Sequence, residues 1–570
     1  MLRMKKLSAN KFIVLFIGSA IILMAILPCC TVSNPAIQQI PSPVSLPSPE
    51  AVDFKVWSTE IPMSDGASLA ADIYLPDRDA EFPAIVIMTP YNRALYKQVL
   101  VQSMQDNQPE NAFFPTADYA VVTVDWRGKF GSRDARPTIR TDGPGMDGYD
   151  VIEWVANQPW CNGKVAMWGQ SALGVVQYHT VMKKPPHLAA IMPWVADYSN
   201  SYDKYYHGGV LRKEWMDAYD RIGWGALSQV IRAHPLDDGF YNGKDYADPK
   251  DIEIPILIVG GWFDLHDSTD VFNRLKANAN EKVKQYHRVV IGPWIHTGAG
   301  KDIPQGELEF RGTDLFMKNE QKKFFDYWLR GIENDAENAP NVMYYQLGEN
   351  QWYASDTWPP AGVEETAFYL HPKGQLSETK PSAQSGPVQF LSDPDNPVPT
   401  VGGNNLPRLG LLIGPADQGE KVETHREVLI YTSDILEEDL AITGTIKVIL
   451  YVSSDGEDTD VAIRITDVYP DGRSMLLVDG IQRLSLMESW SEEHFIVPGE
   501  VYPVTIETQS IAATFLKGHR IRLIVSSSNY PHYALNTNTR DKGGPARTAT
   551  NKLFHDAEYP SAVILPVRNR

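Results

Sequence analysis

The chain has 570 residues, a formal net charge of −19 at neutral pH, 43% hydrophobic residues and 22% charged residues. That length predicts two or three domains with substantial cores. The acidic balance excludes a nucleic-acid partner and electrostatic docking on anionic lipid, both of which select basic surfaces.

In chain order, Arg3, Lys5, Lys6 and Lys11 precede an apolar run at 12–27, and Cys29 and Cys30 follow it. A basic start and a hydrophobic stretch this short and early read as an export signal over 1–30, cleaved or kept as an anchor. A cysteine at its end adds a lipoprotein reading, in which the thiol carries the lipid. The expectation is an exported protein, secreted or anchored to the envelope. Residues 31–52 are rich in Pro and Ser and read as a tether without a core of its own. Beyond them only Cys161 remains, which excludes an intrachain disulfide and a thiolate metal cluster. Cys161 reads as a packed small residue.

Residues 53–195 alternate strand and helix patterns. Ala67–Leu75, Pro83–Met88, Ala120–Val124 and Leu188–Pro193 are apolar runs bounded by turn residues, and Asp150–Gln158 has helical spacing. This predicts a parallel sheet with helices on both faces. Residues 196–250 replace the β-branched runs with Tyr, Asp, Lys, Trp and His, and Arg212–Tyr219 and Trp224–Ala233 read as helices. Inserted between two sheet strands, they form a short helical cap over the C-terminal edge of the sheet. The sheet resumes over 251–345, where Thr313–Leu329 is a long helix expected to close the domain. From 346 to 570 the period becomes that of strands, as in Ile446–Val452, Val461–Ile465 and Ile521–Val525. This is a β-sandwich of jelly-roll type.

The chemistry sits at three strand ends. Lys164–Gly174 is a short strand ending in Gly169-x-Ser171-x-x-Gly174 before an apolar helix, a turn that pushes a serine hydroxyl out of the sheet. Ile254–Asp264 places a carboxylate after a strand, and Arg288–His296 does the same for an imidazole. The order Ser171, Asp264, His296 is that of an α/β-hydrolase triad. In that reading Ser171 attacks a carbonyl, His296 moves the proton and Asp264 orients the imidazole. The Ala172 N–H donates to the oxyanion. The loop Thr89-Pro-Tyr-Asn-Arg93 has no glycine run to lend a second N–H, so the Tyr91 phenol takes that place. No cofactor and no metal are called for. His266, Asp267 and Asp270 hint at a metal, but Asp267 reads better as the opening of helix 268–277. Arg127 is expected to pair with Asp147 or Asp150. Asp455, Asp458 and Asp460 lack the spacing of a calcium loop and read as an exposed turn.

These segments resemble the bacterial cocaine esterase, X-Pro dipeptidyl-peptidase and α-amino-acid ester hydrolase group. The resemblance spans nearly the whole chain beyond the export signal. It is carried by Thr89–Asn92, Asp125-Trp-Arg-Gly128, Asp150–Trp154, Trp168-Gly-Gln-Ser171, Gly261-Trp-Phe-Asp264 and Gly292-Pro-Trp-Ile-His296. Further matches are Phe325–Gly331, Thr466–Gly472, Arg520–Leu523 and Ser526–Ser528. The resemblance implies an α/β-hydrolase fold with an inserted cap and a C-terminal jelly roll, the same triad, and a tyrosine hydroxyl in the oxyanion hole, which falls on Tyr91. The α-amino-acid ester hydrolases carry an acidic residue three positions after the nucleophile to hold the substrate ammonium. Here that position is Gly174.

The reading is a serine hydrolase for a small-molecule ester or amide, working through an acyl-enzyme. An X-Pro dipeptidyl-peptidase acting on short peptides is the alternative. It needs a cap carboxylate for the peptide amine, with Asp203, Glu214 and Asp217 as candidates. A third reading, a carbohydrate-binding envelope protein with a vestigial site, rests on the jelly roll alone.

Overall fold

A computed structural model describes residues 37–41, 54–96, 118–406, 411–541 and 543–569. The basic and apolar stretch at 1–30, with Cys29 and Cys30, lies outside the described residues, as does most of the tether. Among the described residues no helix is long and apolar enough to cross a membrane.

The first domain is built on an eleven-stranded sheet. Its strands are β1 (Gln38–Gln39), β2 (Phe54–Pro62), β3 (Ser68–Pro76), β4 (Phe82–Thr89), β5 (Ala120–Asp125), β6 (Cys161–Gln170) and β7 (Leu188–Trp194). A cap hairpin supplies β8 (Tyr206–His207) and β9 (Val210–Leu211), outside the sheet. The sheet continues with β10 (Leu257–Phe263), β11 (Arg288–Ile295), β12 (Val342–Gln346) and β13 (Gln351–Ser355). The spatial order is β1-β13-β12-β11-β10-β7-β6-β4-β5-β3-β2.

From β5 through β12 neighbouring strands are parallel, so their C-terminal ends share one edge. These strands are buried on both faces, which is why they read as continuous apolar runs rather than alternations. The flanks depart from the all-parallel expectation. β2, β3 and β5 run antiparallel in series, and β13 turns back on β12.

Two boundaries also differ from the expected ones. β13 belongs to the first sheet although it lies beyond residue 345, because its register with β12 is set by a tight turn at 347–350. Gln38 and Gln39, inside the stretch expected to be a bare tether, pair with Ala354 and Tyr353 and cover that edge.

Helices α1 (Gly145–Ala156) and α2 (Ala172–Val181) pack on each other beside the sheet. The cap follows β7 with α3 (Tyr202–Tyr205), the hairpin, α4 (Lys213–Arg221) and α5 (Gly225–Arg232). Its own core is aromatic and includes Tyr202, Tyr205, Tyr206 and Trp215. Then come α6 (Ser268–Asn278) and α7 (Thr313–Phe325), the latter extended by a π-helical turn at Asp326–Arg330.

The C-terminal domain is a second eleven-stranded network, antiparallel except where Gln375–Ser377 runs alongside Leu429–Ser433. One continuous apolar core runs through both domains. Asp458 and Asp460 correct the expectation of an exposed turn: both are buried. Arg483 meets Asp460 at 2.8 Å, and Asn536 donates to both carboxylates, so the charges are neutralised inside the fold.

Candidate active site

Strand register brings the candidate residues together. β10 and β11 pair in parallel with Phe263 opposite Ile295, so the next residues, Asp264 and His296, leave the sheet side by side. Close packing holds that register. A Cβ on Gly261 would strike the Trp294 carbonyl, and one on Gly292 would strike the Trp294 ring. His296 Nδ1–H donates to Asp264 Oδ1 at 2.6 Å, and Asp264 Oδ2 accepts from the His266 N–H at 3.3 Å. Asp264 is fully buried and His296 nearly so. The Gln170 side chain donates to the His296 carbonyl, fixing the backbone of the imidazole to the end of β6.

Ser171 follows β6 with φ 59° and ψ −121°, a conformation that L-residues rarely adopt. The Ser171 N–H bonds to the Trp194 carbonyl of β7 at 2.9 Å. Its carbonyl accepts from the N–H groups of Gly174 and Val175, which starts α2. Gly169 and Gly174 make room for this turn. A Cβ on Gly174 would lie 2.5 Å from Ala196 Cβ, and one on Gly169 would run into Leu173. Ala172 is the first residue of α2, so its N–H has no intrahelical acceptor and is free to serve an oxyanion.

Tyr91 comes from the loop after β4. β4 and β6 pair with Val86 opposite Met167, which sets Thr89 beside Gln170 and the following turn beside Ser171. The Tyr91 N–H donates to Thr89 Oγ1 at 3.0 Å. The ring is partly exposed, but its hydroxyl lies close enough to Ser171 to act on it. Burial raises the phenol pKa and the Ser171 contact opposes it only in part, so the hydroxyl stays protonated and able to donate. Among the described residues no hydrogen bond joins the Ser171 hydroxyl to His296.

Ser171, Ala172, Tyr91 and His296 line one cavity of about 750 Å³. Its walls are mainly apolar and aromatic, with Trp126 and Tyr96 on the sheet side and Trp215, Tyr219 and Trp224 from the cap. His179 and His266 also face it. Burial, reinforced by the neighbouring cations Lys183 and Lys204, pushes the His179 pKa down to about 4. His266 is likewise held neutral by burial and by the nearby cations.

Arg127 binds Asp147 at 2.6 Å, and Asp150 instead pairs with Arg140, also at 2.6 Å. Asp267 caps α6 by accepting from the Thr269 and Asp270 N–H groups, and Asp270 pairs with Arg274. None of Asp203, Glu214 and Asp217 lines the cavity. Glu214 is buried against Arg221 at 2.7 Å, Asp217 is held by Lys213 and Arg232, and Asp203 lies 3.6 Å from His207. Sequence reasoning missed Gln170, Lys204 and His266 as wall residues. Single polar residues beside apolar strands carry no periodic signal. Only the position of Gln170 next to the nucleophile turn pointed toward the site.

Residues 65–223 and 210–298 match the X-Pro dipeptidyl-peptidase (S15 family) domain, and 334–564 match the X-Pro dipeptidyl-peptidase C-terminal non-catalytic domain. The chain is 30% identical to the cocaine esterase of Rhodococcus sp. (strain MB1 Bresler), over 90% of this chain and 98% of that protein. Among solved structures, an aminopeptidase from a marine sediment Thaumarchaeota archaeon superposes with a TM-score of 0.77 at 26% identity, covering 94% of this chain and 99% of the other. An α-amino acid ester hydrolase superposes with the same TM-score of 0.77 at 24% identity, covering 92% and 98%, and shares the fold. A match that runs through both domains of the chain, and along nearly the full length of a characterised relative, makes this protein a serine hydrolase belonging to the X-Pro dipeptidyl-peptidase (S15) family.

Proposed function

We propose that the protein hydrolyses carboxylic esters through an acyl-enzyme formed on Ser171. One observation carries the reading: the 2.6 Å Asp264–His296 contact opens onto the cavity where Ser171 is held in a strained turn beside Tyr91. Nδ1 of His296 is engaged by Asp264, which leaves Nε2 to act as base. The substrate carbonyl enters between Ser171 and Tyr91. Ser171 Oγ then adds to the carbonyl carbon while its proton passes to His296. The Ala172 N–H and the Tyr91 phenol receive the oxyanion. Collapse returns that proton to the departing alcohol oxygen and leaves the acyl-serine. Water, deprotonated by His296, then releases the acid and restores Ser171.

An ester is favoured over an N-terminal dipeptide by the walls of the cavity. Asp147 is the one carboxylate lining it among the described residues, and Arg127 and Arg140 already neutralise it. A peptide ammonium would therefore find no free partner. The family assignment keeps the dipeptidyl-peptidase reading as the comparison. The test is a matched panel of a p-nitrophenyl ester and a Gly-Pro anilide, with fluorophosphonate labelling. We expect ester turnover, labelling that Ser171→Ala abolishes, and a loss of roughly 10²–10³ in kcat for Tyr91→Phe. Comparable turnover of the anilide would reverse the preference. An unlabelled Ser171 would end the reading.

We also propose export, on the strength of the basic and apolar N-terminus. Recovery of the protein from the cytosol of its host would contradict this.

A further inference from the structure

The wall between the catalytic cavity and its neighbour carries positive charge that the protein does not neutralise. A second cavity, of about 740 Å³, lies between the hydrolase and C-terminal domains. The two cavities share Lys204, Leu265 and His266. Four cationic side chains line the catalytic cavity, and three of them have carboxylates: Arg127 with Asp147, Arg140 with Asp150, and Arg221 with Glu214. The fourth is Lys204, only 8% exposed, and no carboxylate stands within ion-pairing distance of it among the described residues. Its ammonium donates to the Ser199 carbonyl at 2.8 Å and lies 5.0 Å from the centre of the Tyr246 ring. An ammonium has three donors, so further capacity is left.

Behind this wall Arg212 repeats the pattern. It lines the second cavity and is 5% exposed. One guanidinium nitrogen donates to the Leu265 carbonyl at 2.7 Å, while its Nε has no partner and no carboxylate pairs with it. The carboxylates of the second cavity are committed elsewhere or solvated. Asp197 and Asp270 hold Arg274, Asp203 faces His207, Asp267 caps α6, Glu507 faces Lys447, and Glu488 is exposed. A buried cation without a counter-charge costs far more than a paired one. Lys204, which has none, and Arg212, on which the charges of Asp203 and Asp479 act only from beyond ion-pairing distance, flank one wall and form a site completed by an anion. Lys204 and Arg212 also both help to hold His266 neutral, so their field reaches the wall of the catalytic cavity.

We propose that the substrate carries a carboxylate, which Lys204 receives at the wall of the catalytic cavity with Arg212 reinforcing it from behind. The proposal rests on the ester-hydrolase reading and narrows it to acyl or alcohol parts with an anionic end, such as the half-ester of a dicarboxylic acid.

The test compares two nearly isosteric esters, 4-nitrophenyl hydrogen glutarate and 4-nitrophenyl methyl glutarate, on the full chain. Charge-assisted hydrogen bonds predict a kcat/KM ratio of about tenfold or more in favour of the carboxylate, expressed mainly in KM. Lys204→Met should bring the ratio to about one, and Lys204→Arg should keep most of it. Should Lys204→Met not fold, competitive inhibition of wild-type initial rates by glutarate and by its dimethyl ester gives the same comparison, with the dianion expected to bind about tenfold or more tightly. A wild-type ratio near one, or a ratio unmoved in a folded Lys204→Met, overturns the proposal. Fluorophosphonate labelling separates the two levels. With Ser171 labelled and both esters cleaved equally, the anion site alone falls. With Ser171 unlabelled and neither ester cleaved, the hydrolase reading falls and the anion site with it.

Discussion

Ser171 shows how a single residue trades stability for position. Its φ of 59° with ψ −121° is a region that glycine enters freely and serine does not, and such strain costs on the order of 1–3 kcal/mol. The turn persists because the Ser171 N–H is held by Trp194 and its carbonyl by two N–H groups of α2. Ser171→Ala keeps the Cβ and therefore the strain. Ser171→Gly removes it. Thermal unfolding should accordingly show Ser171→Gly more stable than Ser171→Ala by about 1 kcal/mol or more, with both inactive. Equal melting temperatures would mean the turn is not strained. Gly174 is a matching constraint. Its missing Cβ is what lets α2 lie against Ala196, so any larger side chain at this point has no room.

Among elements, α2 is the one whose placement matters most, because its first residue presents the Ala172 N–H. It is held sideways by α1, where Gly145 and Gly148 let the helices touch at His179 and Thr180. A Cβ at Gly148 would lie 2.8 Å from Thr180 Cβ and closer still to its hydroxyl. Gly148→Ala should therefore push the helices apart, lowering stability by about 1–3 kcal/mol and lowering kcat on the ester. Unchanged melting and turnover would show the helices free to adjust. Strands β4, β5, β6, β10 and β11 were legible in the sequence because burial on both faces makes them continuous apolar runs. The three candidate residues could be picked out in order because each follows such a run. β2 and β13 were missed for the opposite reason. Lying at or near the sheet's flanks, Phe54–Pro62 and Gln351–Ser355 mix Lys, Ser, Thr, Glu and Gln with apolar residues, so nothing in their composition assigns them to this sheet. Asp458 and Asp460 were misread because their partners, Arg483 and Asn536, are distant in sequence. Lys204 escaped notice likewise, since a lysine among tyrosines and aspartates reads as solvated until its burial is known.

For the whole molecule, the two domains act as one body around the Asp264 loop. Gln509 donates to the Leu265 carbonyl at 2.9 Å, the Ser510 N–H donates to Asp267 at 2.7 Å, and Trp358 donates to Ser510 at 3.2 Å. Burial disfavours charge, and several buried histidines are held neutral by it. His287 is fully buried with neither ring nitrogen partnered, and burial, aided by Lys276 and Arg288, pushes its pKa down to about 3. His532, buried against Asn405 and near Arg212, is likewise held well below its ordinary value, by burial first and then by the neighbouring cations. An unfolded histidine takes a proton near pH 6.5, whereas the folded His287 does not until about pH 3. The stability this supplies is complete above pH 6.5 and is lost progressively as pH falls toward 3, by about 2 kcal/mol at pH 5. Asp467 works in the opposite direction. Burial raises its pKa to about 6 against the pull of His519, so its contribution is present at low pH and is lost as pH rises through 6. The two trends overlap, so the wild-type curve alone cannot apportion them, but a variant can. Denaturant unfolding of His287→Leu between pH 7 and 5 should lose about 2 kcal/mol less stability than the wild type does. Parallel curves for the two proteins would mean that His287 takes up its proton inside the fold as readily as in the unfolded chain.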